Sequence, residues 1–209
     1  MSEIKEKSVE LFLDELAGRQ ATPGGGSAAA VMGAQSAALI SMVCNLTIGK
    51  PKYAEVEDDM QLLLSQAEAL RTELTGMIKA DVDVFDKLMA TYGLPKETDE
   101  EKAARSTQIQ EVLKEATIVP LDCAKACAKA IRLSRVAAEK GNTGVISDAG
   151  VAVMAGYSAL KSAALNVYIN AGSIKDKTFA DEKLAELEQV MNGAEAETEA
   201  VYQIVKDKL

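Results

Sequence analysis

Ser27-Ala-Ala-Ala-Val-Met-Gly33-Ala-Gln-Ser-Ala37-Ala-Leu-Ile-Ser-Met-Val-Cys44 runs for 18 residues without a formal charge, and its reading decides the fold. The length is close to that of a bilayer span. The content points elsewhere: six alanines, three serines and Gln35 make the stretch weakly hydrophobic, and the positive anchors that flank a lone span are missing. A buried core helix fits instead. Ala29, Gly33 and Ala37 recur every four residues, so one face is low enough for another backbone to come close. Residues 147–171 repeat the device with Ala152, Gly156, Leu160 and Ala164. Both helices are expected at the centre, meeting either within one chain or across a dimer interface.

Outward from these two, helix is the expectation throughout. Residues 4–16 place Val9, Phe12, Leu13 and Leu16 on one face and stop at Gly18. Thr22-Pro23-Gly24-Gly25-Gly26 reads as non-helical, with Ser27 opening a helix to about residue 47. Gly49 and Pro51 separate that helix from a long one, 54–92, which Gly93-Leu94-Pro95 ends. Thr98 and Glu101 fit a capping box for a helix over 99–119; Pro120 then forces a kink or a new start, and helix continues to about residue 140. After the Gly141-Asn142-Thr143-Gly144 break and the second small-residue helix, Asp176 caps a last helix to about residue 205. The expected architecture is all-α: one domain over residues 1–209, an up-and-down bundle of long helices with the small-residue helices at its centre.

Composition agrees. With 209 residues, 48% hydrophobic and 26% charged, the chain can bury a sizeable core, and 4% aromatics without tryptophan favour close-packed helices over a sheet. A net charge of −9 with no basic block argues against nucleic acid and against an anionic membrane as partners. Three cysteines, Cys44, Cys123 and Cys127, cannot all pair, and no signal peptide is legible at the start, so a reducing cytoplasm is expected.

The absence of histidine removes Ser-His-Asp catalysis and a histidine-based zinc site. Cys123 and Cys127, four apart, are a poor metal site without further soft ligands, so no metal is expected. Acids, amides and lysines must carry the chemistry. The long helix has an apolar row of Leu70, Leu74, Met77/Ile78, Phe85 and Leu88, and the position that should continue it after Ile78 is Asp81. A carboxylate on the core face needs a cation, hydrogen-bond donors or a water-lined pocket, so a structural ion pair and a catalytic acid stand side by side. Asp83 and Asp86 point elsewhere. Gly24, Gly25, Gly26 and Ser27, opening a helix, offer free N–H groups to an anion or developing oxyanion, or form a plain capped turn. Ala159, Ala163, Asn166 and Asn170 make one helical row that ends in two amides, which are costly there unless bonded. Asn142 and Asp148 precede or open that helix, and Lys50 and Lys52 are the cations nearest in sequence to the glycine turn.

At these residues the chain resembles the cyclodeaminase/cyclohydrolase family: the cyclodeaminase part of formiminotransferase-cyclodeaminase and the stand-alone methenyltetrahydrofolate cyclohydrolases of methylotrophic bacteria. The resemblance rests on Thr22 to Ser27, Ala80-Asp81 with Phe85, Leu94-Pro95-Lys96, Thr98 to Lys102, Val119-Pro120-Leu121, Gly141-Asn142 with Ser147-Asp148, and Asn166 to Asn170. It implies an all-helical, dimer-forming domain whose folate site gathers Gly24, Gly25, Gly26, Ser27, Lys50, Asn142, Asp148, Asn166 and Asn170 around Asp81. In that family the position matching Asp81 is the acid assigned to cyclodeaminase catalysis. No formiminotransferase stretch is present, and Lys50-Pro51-Lys52 lies where the family varies. The resemblance implies a tetrahydrofolate derivative as substrate, with no further cofactor. Methenyltetrahydrofolate cyclohydrolase is the first reading and formiminotetrahydrofolate cyclodeaminase the second; a folate-binding helical dimer without turnover is the non-enzymatic alternative.

Overall fold

Gly24, rather than Ser27, caps the central helix. In the computed structural model, which describes residues 3–209, α2 spans Gly25–Asn45 and Gly24 holds the extended backbone of an N-cap. Gly25 and Gly26 therefore lie in the first helical turn. The expectation that they stay outside is corrected by packing: each glycine costs about 1 kcal/mol in a helix, a small term beside the burial of Ala29, Ala30, Gly33, Ala37 and Ile40 along the same helix.

The remaining helices follow their caps. α1 is Val9–Leu16, with Ser8 accepting the Leu11 N–H at 3.1 Å. A separate short 3-10 turn at Ile4–Glu6 replaces the predicted start of that helix. A second 3-10 turn, Pro51–Val56, leads into α3, Glu57–Tyr92. α4 covers Asp99–Lys140; Thr98 accepts the Glu101 N–H at 3.2 Å while Glu101 accepts the Thr98 N–H at 3.1 Å. It runs through Pro120 with no new start. After a turn at Thr143–Val145 comes α5, Ile146–Gly172. Asp176 caps α6, Lys177–Met191, as expected. The predicted last helix is two, however, because Gly193, at φ 75°, turns the chain through the left-handed region before α7, Ala194–Asp207. Among the described residues there is no strand.

α2 packs against α3, α4 and α5, and its small side chains explain how close they come. A Cβ on Gly33 would lie 2.9 Å from Cys127 Sγ and 3.0 Å from a Leu74 methyl. One on Gly156 of α5 would lie 3.0 Å from Ser36 Oγ. Ser36 in turn donates to the Ala152 carbonyl at 2.6 Å. The two small-residue helices thus meet within one chain, and they run antiparallel: Ser36 faces Ala152 and Gly156, whereas Ala30 and Ala163 share a cavity. α7 closes the other side, with Val205 against Gly150 and Glu197 paired to Arg135 of α4. Each central helix still leaves one face uncovered. Met42 on α2, Leu46 at its C-cap, and Val151, Met154, Leu165 and Ile169 on α5 remain exposed.

Candidate active site

The interruption in the α3 row is where the bundle places its one unusual carboxylate. Leu70, Leu74, Ile78 and Leu88 are buried along that row, and Asp81, one turn after Ile78, is half-buried against the first turn of α2. Ser27 donates its hydroxyl to Asp81 Oδ2 at 2.8 Å. The carboxylate lies flat on Gly26, whose α-carbon has room for nothing more: a Cβ there would stand 1.9 Å from Asp81 Oδ1. Gly25 is different, since a Cβ on it would meet nothing within 4 Å.

Two influences compete over the Asp81 proton. Burial pushes its pKa up, and this effect prevails; the Ser27 hydroxyl and backbone amide favour the charged form and hold the rise back. The α2 N-terminus, with N–H groups that have no intrahelical acceptor, also favours the anion. Among the described residues no Lys or Arg forms an ion pair with Asp81, so the structural ion pair left open by the sequence is not made within this chain. Asp83 is exposed and paired with Lys79, and Asp86 is exposed.

A cavity of about 10 Å³ opens beside the carboxylate, walled by Gly26 and Ala30 of α2, Met77 of α3, and Val119, Pro120 and Cys123 of α4, with Ala163 of α5. That is the space one water molecule needs. Asp81 is the one charged side chain on the cavity wall, so the carboxylate is the polar group that a reacting atom entering there would meet. Met77, Val119, Cys123 and Ala163 were not singled out as site residues. Met77 is one turn before Asp81, and Ala163 is one turn before Asn166 and two before Asn170, so the helical period could have found both. The α4 wall depends on how α4 lies across α3, which no local pattern reports.

The expected site residues divide into two groups. Gly24, Gly25, Gly26, Ser27 and Asp81 come together, and Asn166 lies one turn beyond Ala163, its Nδ2 donating to the Ser162 carbonyl at 3.0 Å. Asn170 follows, but its Nδ2 donates to the Ala116 carbonyl of α4 at 2.6 Å, so one of its two N–H groups is already committed. Lys50, Asn142 and Asp148 are at the opposite end of α2. An unbroken helix of 21 residues separates the ends by about 30 Å. Lys50 lies beyond the C-terminal end of α2, exposed and remote from the glycine turn within this chain. Asn142 is structural within this chain: Nδ2 donates to the Leu46 carbonyl at 2.8 Å, and Oδ1 accepts from Gly144 N–H at 3.0 Å and Tyr53 O–H at 3.1 Å. Its backbone N–H donates to Thr47 Oγ1 at 2.9 Å. Asp148 sits half-buried in the first turn of α5. Lys52 lies over the Tyr53 ring, 5.3 Å from its centre.

Cys44, Cys123 and Cys127 are buried free thiols, and burial pushes the Cys44 pKa up to about 12. Among the described residues no cluster of three or more Cys, Asp or Glu is placed to hold a metal ion.

Comparison with known proteins places this geometry in context. The family described as formiminotransferase-cyclodeaminase matches residues 8–189. A methenyltetrahydrofolate cyclohydrolase of Methylorubrum extorquens is 57% identical over 203 residues, which cover 97% of this chain and 98% of that protein. The formimidoyltransferase-cyclodeaminase of Rattus norvegicus is 32% identical over 197 residues; the match takes in 94% of this chain but 36% of the rat protein. Among solved structures, a formiminotetrahydrofolate cyclodeaminase from Thermotoga maritima superposes with a TM-score of 0.83 at 34% identity, covering 99% of this chain and 98% of that one.

Proposed function

The chain belongs to the formiminotransferase-cyclodeaminase family, and from that premise we propose that it hydrolyses 5,10-methenyl-tetrahydrofolate to 10-formyl-tetrahydrofolate. Identity of 57% to the Methylorubrum cyclohydrolase, against 34% to the Thermotoga cyclodeaminase over a similar share of the chain, supports this choice over the deaminase. The observation that carries the chemistry is Asp81: a half-buried carboxylate without a cation, beside a cavity of one-water size.

The substrate's methenyl carbon bridges N5 and N10 as an amidinium-like cation. Asp81 acts on it in two ways. Its charge offsets the cost of holding that cation away from water, and its free lone pairs take a proton from the attacking water. Addition of water gives a tetrahedral carbinolamine; collapse breaks the bond from carbon to N5, N5 takes a proton, and the formyl group stays on N10. The N–H groups of Gly25 and Gly26 at the head of α2 suit an oxygen that gains negative character. Asn166, on the next turn from Ala163, is assigned to substrate binding. The reaction written in this way uses no metal and no cofactor beyond the folate itself.

A two-fold homodimer is part of the same proposal. Val151, Met154, Leu165 and Ile169 on α5, with Met42 and Leu46, leave an apolar face on the two least polar helices of the chain, which a second copy would cover. Sedimentation at working concentration should give twice the chain mass; a monomer would rule the pairing out. Cytoplasmic residence is proposed as well, since three buried free thiols suit a reducing compartment.

The deciding experiment follows the loss of methenyl-tetrahydrofolate spectroscopically, run beside ammonia release from 5-formimino-tetrahydrofolate. Turnover of the first with no ammonia from the second supports the hydrolase. Ammonia release alone would reassign the chain as a cyclodeaminase. Binding without either reaction would make it a folate-binding protein.

Ser27 supplies a further test. As a base Asp81 must be ionised, so activity falls as pH drops through its raised pKa. Ser27→Ala removes a hydrogen bond that favours the anion. The acidic limb of kcat/KM should therefore move to higher pH. A limb that does not move would mean that another group sets it.

A further inference from the structure

α4 carries a defect in the wall of the Asp81 cavity. Pro120 has no N–H, so the Ala116 carbonyl, one turn earlier, lacks the donor that a helix interior normally supplies. Ala116 is 3% exposed, too buried for bulk water to make good the loss. The donor comes from the neighbouring helix: Asn170 Nδ2 of α5 stands 2.6 Å from the Ala116 oxygen.

Register explains why that side chain arrives there. Gly156 of α5 faces Ala130 of α4, Ala163 lines the cavity with Cys123, and Asn170 meets Ala116. Steps of seven residues along α5 thus match steps of seven along α4 in the opposite direction, as in a heptad seam. Two of the α5 positions hold Gly and Ala, as close packing asks. The third holds an amide, at the point in the interior of α4 where Pro120 takes away a carbonyl's usual backbone donor.

We propose that Asn170 is a positioning residue: its amide bridges the gap that Pro120 leaves in α4 and holds the Val119-Pro120 turn against Asp81, instead of binding substrate. The catalytic part of this inference rests on reading the Asp81 cavity as the hydrolase site. Pro120 brings an apolar ring to the cavity wall with no N–H of its own, and Asn170 keeps the turn closed. Without the bridge the turn loosens and the wall facing the attacking water shifts.

The two residues are tested as a pair, with Asn170→Ala, Pro120→Ala and the double variant compared with the parent for kcat, KM and melting temperature. Pro120→Ala returns an N–H to the Ala116 carbonyl and makes the bridge redundant. Asn170→Ala should lower kcat by about tenfold or more with KM little changed, as expected for a misplaced wall. Adding it to Pro120→Ala should cost less than about threefold on the same reasoning. An equal loss in both backgrounds, or a rise in KM with kcat intact, would overturn the proposal and return Asn170 to substrate binding. If Asn170→Ala alone does not fold, a folded double variant with the kcat of Pro120→Ala supports the bridge, and an unfolded double variant overturns it. If the parent turns over no methenyl-tetrahydrofolate, the functional reading fails separately. The bridge is then read from melting temperatures alone: destabilisation by Asn170→Ala only in the presence of Pro120 upholds it, and additive destabilisation sinks it.

Discussion

Asp81→Asn should lower kcat by about 10²–10⁴-fold, the range expected for loss of a general base, while the protein melts at or above the parental temperature. The two halves of this result have one cause. Burial raises the Asp81 pKa, so the fold favours the neutral carboxyl over the carboxylate. The stability tied to that shift is fully present below the ordinary carboxylate pKa and is lost as pH rises through the raised value. Above that raised value the fold holds a charge it disfavours, and the amide relieves it. No partner cation is left stranded among the described residues, so the heavy loss that follows from breaking a buried ion pair has no source here. The amide can still accept from Ser27, which keeps the local geometry. Melting temperature and kcat of this one variant decide the matter: parental kcat in a folded protein would remove Asp81 from the mechanism, and a large drop in stability would mean that it serves as a structural ion.

Gly26→Ala should be nearly as damaging to turnover, and Gly25→Ala should be mild. The added methyl on residue 26 would fall 1.9 Å from Asp81 Oδ1 and 2.5 Å from its Cγ, so the carboxylate must rotate or α2 must retreat. Either movement shifts the base by roughly 1 Å or more, and a displacement of that size costs about 10²-fold in rate. At residue 25 the methyl enters open space, and alanine is the better helix former by about 1 kcal/mol. Turnover of the two variants in parallel separates a steric requirement from general intolerance of the turn. Similar losses in both would assign the glycines to ligand approach; no loss in Gly26→Ala would show that Asp81 can move without consequence.

Much of this site was legible beforehand, for a definite reason. Asp81 stood out because a helix repeats every 3.6 residues, so the direction of one side chain follows from its neighbours on the same helix. The same local logic located the capping box at Thr98 and Glu101, the Asp176 cap and the buried row of Ala29, Gly33 and Ala37. It failed where a local preference was overruled by packing. Gly25 and Gly26 became helical because α2 is clamped along its length, one expected helix became two at Gly193, and of the kink or new start expected at Pro120 the new start does not occur.

Local pattern along the chain is enough to show that it is helical, which faces its helices bury, and that one of those faces carries an acid. The tertiary structure alone decided which ends of the helices meet. It put Ser27 and Gly26 on Asp81, set Lys50, Asn142 and Asp148 some 30 Å away along α2, used up the Asn142 amide on backbone and tyrosine partners, and turned Asn170 toward Ala116. The physical reason is that periodicity belongs to a single helix, whereas the register between two helices is set by the fit of many small side chains far apart in the chain, and no one of them states it alone.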